Sequence, residues 1–97
     1  MKSIALNLII AASFALAAAG AANAQEALAK SSGCLNCHAV DTKKVGPSFK
    51  EVAAKYKGKA DAEKTLVAKL SEGKSHPATK ASPADITSLV KWVLATP

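Results

Sequence analysis

The sequence predicts a small all-α fold of four short helices around a central slot, and two observations support this class. Apolar residues recur at helical spacing between residues that typically begin and end helices. No stretch of the mature chain shows the alternation of apolar and polar residues that marks a half-buried strand. Residues 25–97 are enough for one small domain and no more.

The first 24 residues are excluded from this fold because they have the features of a secretory signal peptide. A cationic start at Lys2 precedes an apolar run from Ile4 to Ala19, and Ala22-Asn23-Ala24 matches an A-x-A cleavage site. Cleavage before Gln25 and a periplasmic location are therefore expected. A retained membrane anchor is the alternative, but a span needs about 20 strongly apolar residues. This run is short and rich in alanine, so no stable membrane insertion is expected.

The first two predicted helices flank a stretch that contains both cysteines. Residues 25–30 form the first helix, which ends near Gly33, where a simple helix break or a close approach of the backbone to another group would explain the glycine. A loop over residues 39–46 and Pro47 lead to the second helix, residues 48–56. Its apolar stripe is assigned to the core and consists of Phe49, Val52, Ala53 and Tyr56.

The last two predicted helices are defined by their terminal residues. Asp61 is the expected N-cap of a third helix over residues 62–72, which stops at Gly73. The segment Ser82-Pro83-Ala84-Asp85 supplies an N-cap, a proline at the first helical position and an acid three residues after the cap, and the fourth helix runs from it to Ala95. The apolar faces contain Leu66, Val67 and Leu70 in the third helix and Ile86, Leu89, Val90 and Val93 in the fourth.

The chemistry of the chain centres on a C-x-x-C-H motif formed by Cys34, Cys37 and His38. This spacing is the attachment signature of c-type haem. Each thiol would add to a haem vinyl group as a thioether, and the histidine would bind the iron as its proximal ligand. A covalently held porphyrin would also supply apolar interior that a domain of this size lacks.

Two other interpretations of the cysteines stay open. A thioredoxin-like disulfide belongs at a strand-to-helix turn, and no strand pattern surrounds this motif. Zinc needs four ligands, which Cys34, Cys37, His38 and the distant His76 could nominally supply. Adjacent Cys37 and His38 diverge sharply on a helix and do not easily close one tetrahedron, so the sequence favours haem over a zinc or disulfide module.

The charge of the chain argues against nucleic acid and favours acidic protein partners. The chain has 13 lysines, no arginine and 7 acidic residues, a formal net charge of +6 that falls by one when Lys2 is lost with the leader. Without arginine it lacks the usual reader of bases and phosphates. A basic surface would instead steer docking to acidic patches on periplasmic redox proteins or dehydrogenases. Candidate docking lysines, each of which could serve solubility alone, are Lys43, Lys44, Lys50, Lys55 and Lys57.

From Gly33 to Tyr56 and from Leu89 to Leu94 the sequence resembles the small bacterial class I cytochromes c. The likeness covers nearly the whole mature chain and implies the four-helix fold of that family around one covalent haem c. By this resemblance Cys34 and Cys37 hold the haem, and His38 is the proximal iron ligand.

The resemblance also implies two supporting roles. The carbonyl of Pro47 would accept the other ring N–H of His38 and so fix the orientation and basicity of the imidazole. Trp92 would pack near the propionate edge of the haem, and the first and last helices would cross near Gly33.

The sequence departs from this family at the second iron ligand. The family uses a methionine followed by proline before the last helix, whereas the only methionine here is Met1. His76-Pro77 stands sixteen residues before Trp92, where the family has Met-Pro. A neutral imidazole is a good iron ligand, so His76 is the predicted distal ligand. Lys74 and Lys80 are weaker candidates, because an ammonium must lose its proton before it binds a metal.

Two functions correspond to the two possible states of the iron. With both axial histidines in place the iron has no open position, which predicts an electron carrier, or an electron-transfer subunit, with a potential below that of relatives with His/Met ligation. A solvated His76 would leave the iron five-coordinate, and an open or labile sixth position predicts a protein that binds or senses small ligands. The sequence favours the electron carrier, which is not itself an enzyme.

Overall fold

The computed structural model describes residues 23–97, and these residues form helices, turns and loops without a strand. Residues 23–31 form helix α1, and Cys34–Asn36 form a single 3₁₀ turn. Three helices follow: α2 at Phe49–Tyr56, α3 at Ala62–Glu72 and α4 at Pro83–Leu94. The predicted all-α class with four main helices is confirmed.

Most of the predicted leader, residues 1–22, lies outside the described residues. Within residues 23–97, no helix combines the length and apolar character that crossing a membrane requires.

Serine side chains begin two of the helices as N-caps. Ser48 Oγ accepts the backbone N–H of Glu51 at 3.1 Å, and Ser82 Oγ accepts that of Asp85 at 3.2 Å. Each bond satisfies an N–H that has no partner within its own helix. Asp61 occupies the N-cap position of α3 as predicted, but its side chain makes no capping hydrogen bond.

The end of α1 is set by Gly33, which has a left-handed backbone with φ of +83°. A Cβ on this glycine would meet only the Asn36 side chain, at 3.7 Å. No other helix approaches Gly33 closely, and the glycine ends α1 as a helix break; a close approach of its backbone to haem stays a prediction. Helix α1 is joined to α4 at its other end, where Gln25 Nε2 donates to Ser88 Oγ at 2.8 Å.

Helix α4 is the centre of the packing, because both α2 and α3 pack against it. The buried apolar set of the described residues is small and consists of Ala29, Phe49, Ala53, Ala62, Ile86, Leu89 and Val90. Val52 and Tyr56, assigned to the core of α2, are only half-buried, because they line a cavity instead of closing against other side chains. Leu66 and Leu70 of α3 line the same cavity.

Candidate cofactor site

A cavity of about 340 Å³ lies between the helices, and residues from all four helices line it. This volume falls within the range of small-molecule sites, about 300–1,000 Å³. Its apolar lining includes Phe49, Val52, Leu66, Leu70, Leu89 and Val93. Its chemically reactive lining consists of the four residues singled out from the sequence, Cys34, Cys37, His38 and His76. An open groove on the outer faces of α3 and α4 contains none of the four.

The two thiols are presented by the 3₁₀ turn at the end of α1. The N–H groups of Cys37 and His38 both donate to the carbonyl of Cys34, at 3.2 and 3.0 Å. Side chains three residues apart on a 3₁₀ turn lie on the same side, so Cys34 and Cys37 point to the same part of the cavity. Cys34 is half-buried and Cys37 is exposed. Burial raises the pKa of the Cys34 thiol, and a hydrogen bond from its own backbone opposes that shift.

The His38 imidazole is fixed on one side of the cavity by a backbone acceptor. Its Nδ1 lies 2.6 Å from the carbonyl oxygen of Pro47. A carbonyl can only accept, so Nδ1 carries the proton and Nε2 keeps a free lone pair. Phe49 packs against the same ring, with 5.4 Å between ring centroids.

The His76 imidazole lies opposite His38 and has the same arrangement. The two ring centroids are 6.0 Å apart, and the ring planes differ by 2°. His76 Nδ1 lies 2.7 Å from the carbonyl oxygen of Pro77, so this histidine also keeps the proton on Nδ1 and leaves Nε2 unprotonated. Two imidazoles with free lone pairs therefore occupy opposite sides of one apolar cavity.

Comparison with known proteins relates the chain to cytochromes c. The family model described as Cytochrome c matches residues 18–97. The chain is 40% identical to cytochrome c-551 of Pseudomonas aeruginosa, over 97% of both chains. It is 42% identical to cytochrome c-552 of Nitrosomonas europaea, over 86% of this chain and 88% of the relative. The class 1 cytochrome MtoD of Sideroxydans lithotrophicus superposes with a TM-score of 0.70 and 41% identity, covering 76% of this chain and 94% of MtoD.

The chain belongs to the cytochrome c family. As a class I cytochrome c it carries one covalently bound haem c, and it is an electron carrier, not an enzyme.

The residues that line the cavity of this cytochrome fit such a group. Cys34 and Cys37 stand side by side at one edge, where two thioethers would form. Imidazole nitrogens bind metal ions at about 2.0 Å, so two imidazoles on opposite sides of one metal have centroids about 6 Å apart. The separation of 6.0 Å between His38 and His76 matches this value.

The zinc interpretation has no support among residues 23–97. No three His, Cys, Asp or Glu side chains of this part of the chain come together in a group that could hold a metal ion. The weaker lysine candidates also lie elsewhere. Lys74 pairs with Glu72 at 3.1 Å on the surface, and Lys80 is exposed and absent from the cavity lining.

Trp92 does not line the cavity of the cytochrome. Its ring meets Phe49 edge-on, with 5.5 Å between centroids, and Phe49 in turn packs on His38. Trp92 thus supports His38 through one intervening ring, and its placement near the propionates stays a prediction. The Pro47 carbonyl lies where the resemblance implied.

Two residues of the site were missed by sequence analysis. Gly46 packs so closely on His38 that any side chain would collide with the ring. Ser75 has a left-handed backbone, with φ of +58°, directly before His76. A glycine before proline was a visible signal for the first, but nothing in the sequence marked Ser75.

Proposed function

We propose that this cytochrome carries single electrons between periplasmic redox partners through a bis-histidine haem. Cys34 and Cys37 hold the haem, His38 is the proximal iron ligand and His76 the distal one. The observation that supports this assignment is the pair of parallel imidazoles, 6.0 Å apart, each with Nδ1 held by a prolyl carbonyl. The partners present acidic patches to the basic surface of the cytochrome.

The residues of the site have separate tasks. When bound, the haem supplies an iron that alternates between the ferric and ferrous states. His38 and His76 offer their Nε2 lone pairs to it in both states, so little has to move when an electron arrives or leaves. The carbonyls of Pro47 and Pro77 keep each proton on Nδ1 and raise the basicity of the ligand nitrogen. The apolar lining excludes water from the cavity.

The ligand pair sets the direction of the potential. Methionine in a His/Met pair raises the potential of cytochromes c, so histidine at position 76 lowers it. The hydrogen bond from His76 to Pro77 acts in the same direction, because a more basic imidazole favours ferric iron.

The deciding experiment is low-temperature electron paramagnetic resonance (EPR) of the oxidised holoprotein, exported and matured in a bacterial periplasm. Mass spectrometry of this protein should first show Gln25 as its N-terminal residue. The wild type should give a low-spin bis-imidazole signal, which His76→Ala replaces with a high-spin signal. The matched variant His76→Met restores the ligand type of the family, and its potential in a reductive titration should lie above that of the wild type.

The proposal fails if His76→Ala leaves the spectrum unchanged, because another group would then bind the iron. Carbon monoxide gives an independent reading on the reduced protein. The reduced wild type should not bind carbon monoxide, whereas reduced His76→Ala should bind it promptly. Prompt, stoichiometric binding by the wild type would mean that the sixth position is open and that the protein binds small ligands.

A further inference from the structure

The loop that carries His76, residues 73–81 between α3 and α4, is fastened to the protein on both sides of this histidine. On one side, Gly73 ends α3 with a left-handed backbone, φ of +72°. On the other side, the Thr79 N–H donates to the carbonyl of Leu70 at 3.0 Å. The Thr79 hydroxyl also donates to the carbonyl of Ser32, at 3.4 Å, next to the cysteine-bearing turn. Both ends of the loop are therefore fixed relative to the cavity.

Ser75 is the only residue other than glycine in residues 23–97 with a positive φ, +58°. This left-handed conformation is costly for a residue with a Cβ, and it persists where the surrounding structure demands it. The Ser75 side chain is exposed, so packing does not explain the conformation. What it accomplishes is a reversal of the chain within the three residues that separate the end of α3 from His76.

The residue after His76 completes the constraint. A proline disfavours helical backbone at the residue before it, so Pro77 restricts the backbone of His76. The carbonyl of the same proline accepts the Nδ1 proton of His76 at 2.7 Å. With the backbone turned at Ser75 and the ring held at Pro77, the imidazole plane lies within 2° of that of His38.

We propose that Ser75 is a positioning residue for the distal iron ligand: its left-handed backbone directs His76 Nε2 to the iron with the two imidazole planes parallel. This inference rests on the proposed ligation by His76. It adds that Nε2 of His76 is the binding nitrogen, that the His76 ring is parallel to the His38 ring, and that Ser75 sets this orientation.

Variants of Ser75 separate backbone conformation from side-chain chemistry. Glycine adopts positive φ without strain, alanine resists it, and a β-branched valine resists it most. Since the side chain is exposed, Ser75→Gly is the matched control that removes the hydroxyl and keeps the turn. Ser75→Ala provides a milder test of the same strain where Ser75→Val fails to mature.

The readout is EPR of the ferric holoprotein, because parallel and perpendicular axial imidazoles give different low-spin spectra. The wild type and Ser75→Gly should show a rhombic spectrum with three resolved g values. Ser75→Val should shift toward a single low-field signal of large anisotropy or toward high spin, and Ser75→Ala should shift in the same direction by less. Carbon monoxide should bind the reduced Ser75→Val protein about tenfold faster than wild type or more.

Two results would overturn the inference while leaving the proposed function intact. One is a wild-type bis-imidazole signal that His76→Ala abolishes but that has the large anisotropy of perpendicular rings. The other is a rhombic spectrum unchanged in both Ser75→Ala and Ser75→Val. A wild type with no bis-imidazole signal at all would remove the proposed ligation and this inference together.

Discussion

At residue scale, Gly46 packs tightly on the His38 imidazole. A Cβ at this position would lie 2.9 Å from His38 Nδ1 and 3.0 Å from Nε2, and nearer still to Cε1. Gly46→Ala must therefore displace the ring from its bond to Pro47 or shift the turn. Overpacking of this kind costs about 1–3 kcal/mol, so thermal unfolding of the holoprotein should show a lower Tm, and the haem absorbance should change.

Gly58 offers the control for this substitution. Its φ is +78°, and a Cβ there would meet nothing within 4 Å. Gly58→Ala should lower the Tm through backbone strain alone and leave the haem spectrum as in wild type. If Gly46→Ala changes neither the Tm nor the haem spectrum, the turn accommodates the added methyl group at little cost, and the close packing on His38 does not constrain the imidazole.

Sequence reasoning found the candidate residues that are defined by spacing along the chain, and these residues line one cavity; their roles as haem and iron ligands stay a prediction. The C-x-x-C-H motif and the register of His76 before Trp92 are properties of sequence distance alone. Gly46 and Ser75 were missed because their roles depend on contacts and dihedral angles. The packing of Gly46 on a ring eight residues earlier, and a left-handed serine, exist only once the loops have closed.

At the scale of elements, the N-cap of α4 is a strong local determinant, because this helix carries three of the seven buried apolar residues and packs against both α2 and α3. Ser82 Oγ accepts the N–H of Asp85 at 3.2 Å, and its loss in Ser82→Ala should cost about 1 kcal/mol. For a domain of this size that corresponds to a decrease in Tm of about 4–8 °C. Ser71→Ala, an exposed position within α3, is the matched control and should leave the Tm unchanged or slightly higher. Equal shifts in both variants would show that the cap contributes nothing specific.

The helices were predictable to within a residue or two because their ends carry chemical signals. The bounds of α3 agree with the prediction, and α4 ends at Leu94, one residue earlier than predicted. The observed α1 spans residues 23–31 of the described chain against 25–30 predicted. Helical spacing does not reveal what a face packs against. The spacing of the α2 stripe predicts core, but Val52 and Tyr56 of this stripe line the cavity.

At the scale of the whole molecule, the buried core is small because many apolar side chains line the cavity instead. Seven apolar residues are buried in the described chain, and further apolar side chains on α2, α3 and α4 line a cavity of about 340 Å³. A domain this small is hard to stabilise by its own core. The haem therefore completes the interior. Chain length suggests this need and the C-x-x-C-H motif marks the attachment point, but which helix faces line the cavity could not be read from the sequence.

The net charge of the molecule predicts how its electron-transfer rates respond to salt. Lys44 Nζ is held on the carbonyl of Leu35 at 2.9 Å, beside the cysteine-bearing turn, and the neighbouring Val45 is 83% exposed. A fixed cation beside an exposed apolar residue suits docking of an acidic partner. Stopped-flow oxidation by an anionic iron complex should slow as salt rises, whereas oxidation by a cationic cobalt complex should quicken.

Lys44→Gln and Lys64→Gln test whether this effect is local, because each removes one positive charge. Lys64 lies on the outer groove of α3 and α4, away from the turn. One charge at contact distance in water is worth about 1 kcal/mol, so Lys44→Gln should slow the anionic reaction at low salt by up to about fivefold. Lys64→Gln should change it much less, and the two variants should converge with wild type at high salt, where screening is complete. Equal effects of the two substitutions would mean that only total charge steers the partner and that the surface at Lys44 is not its docking site.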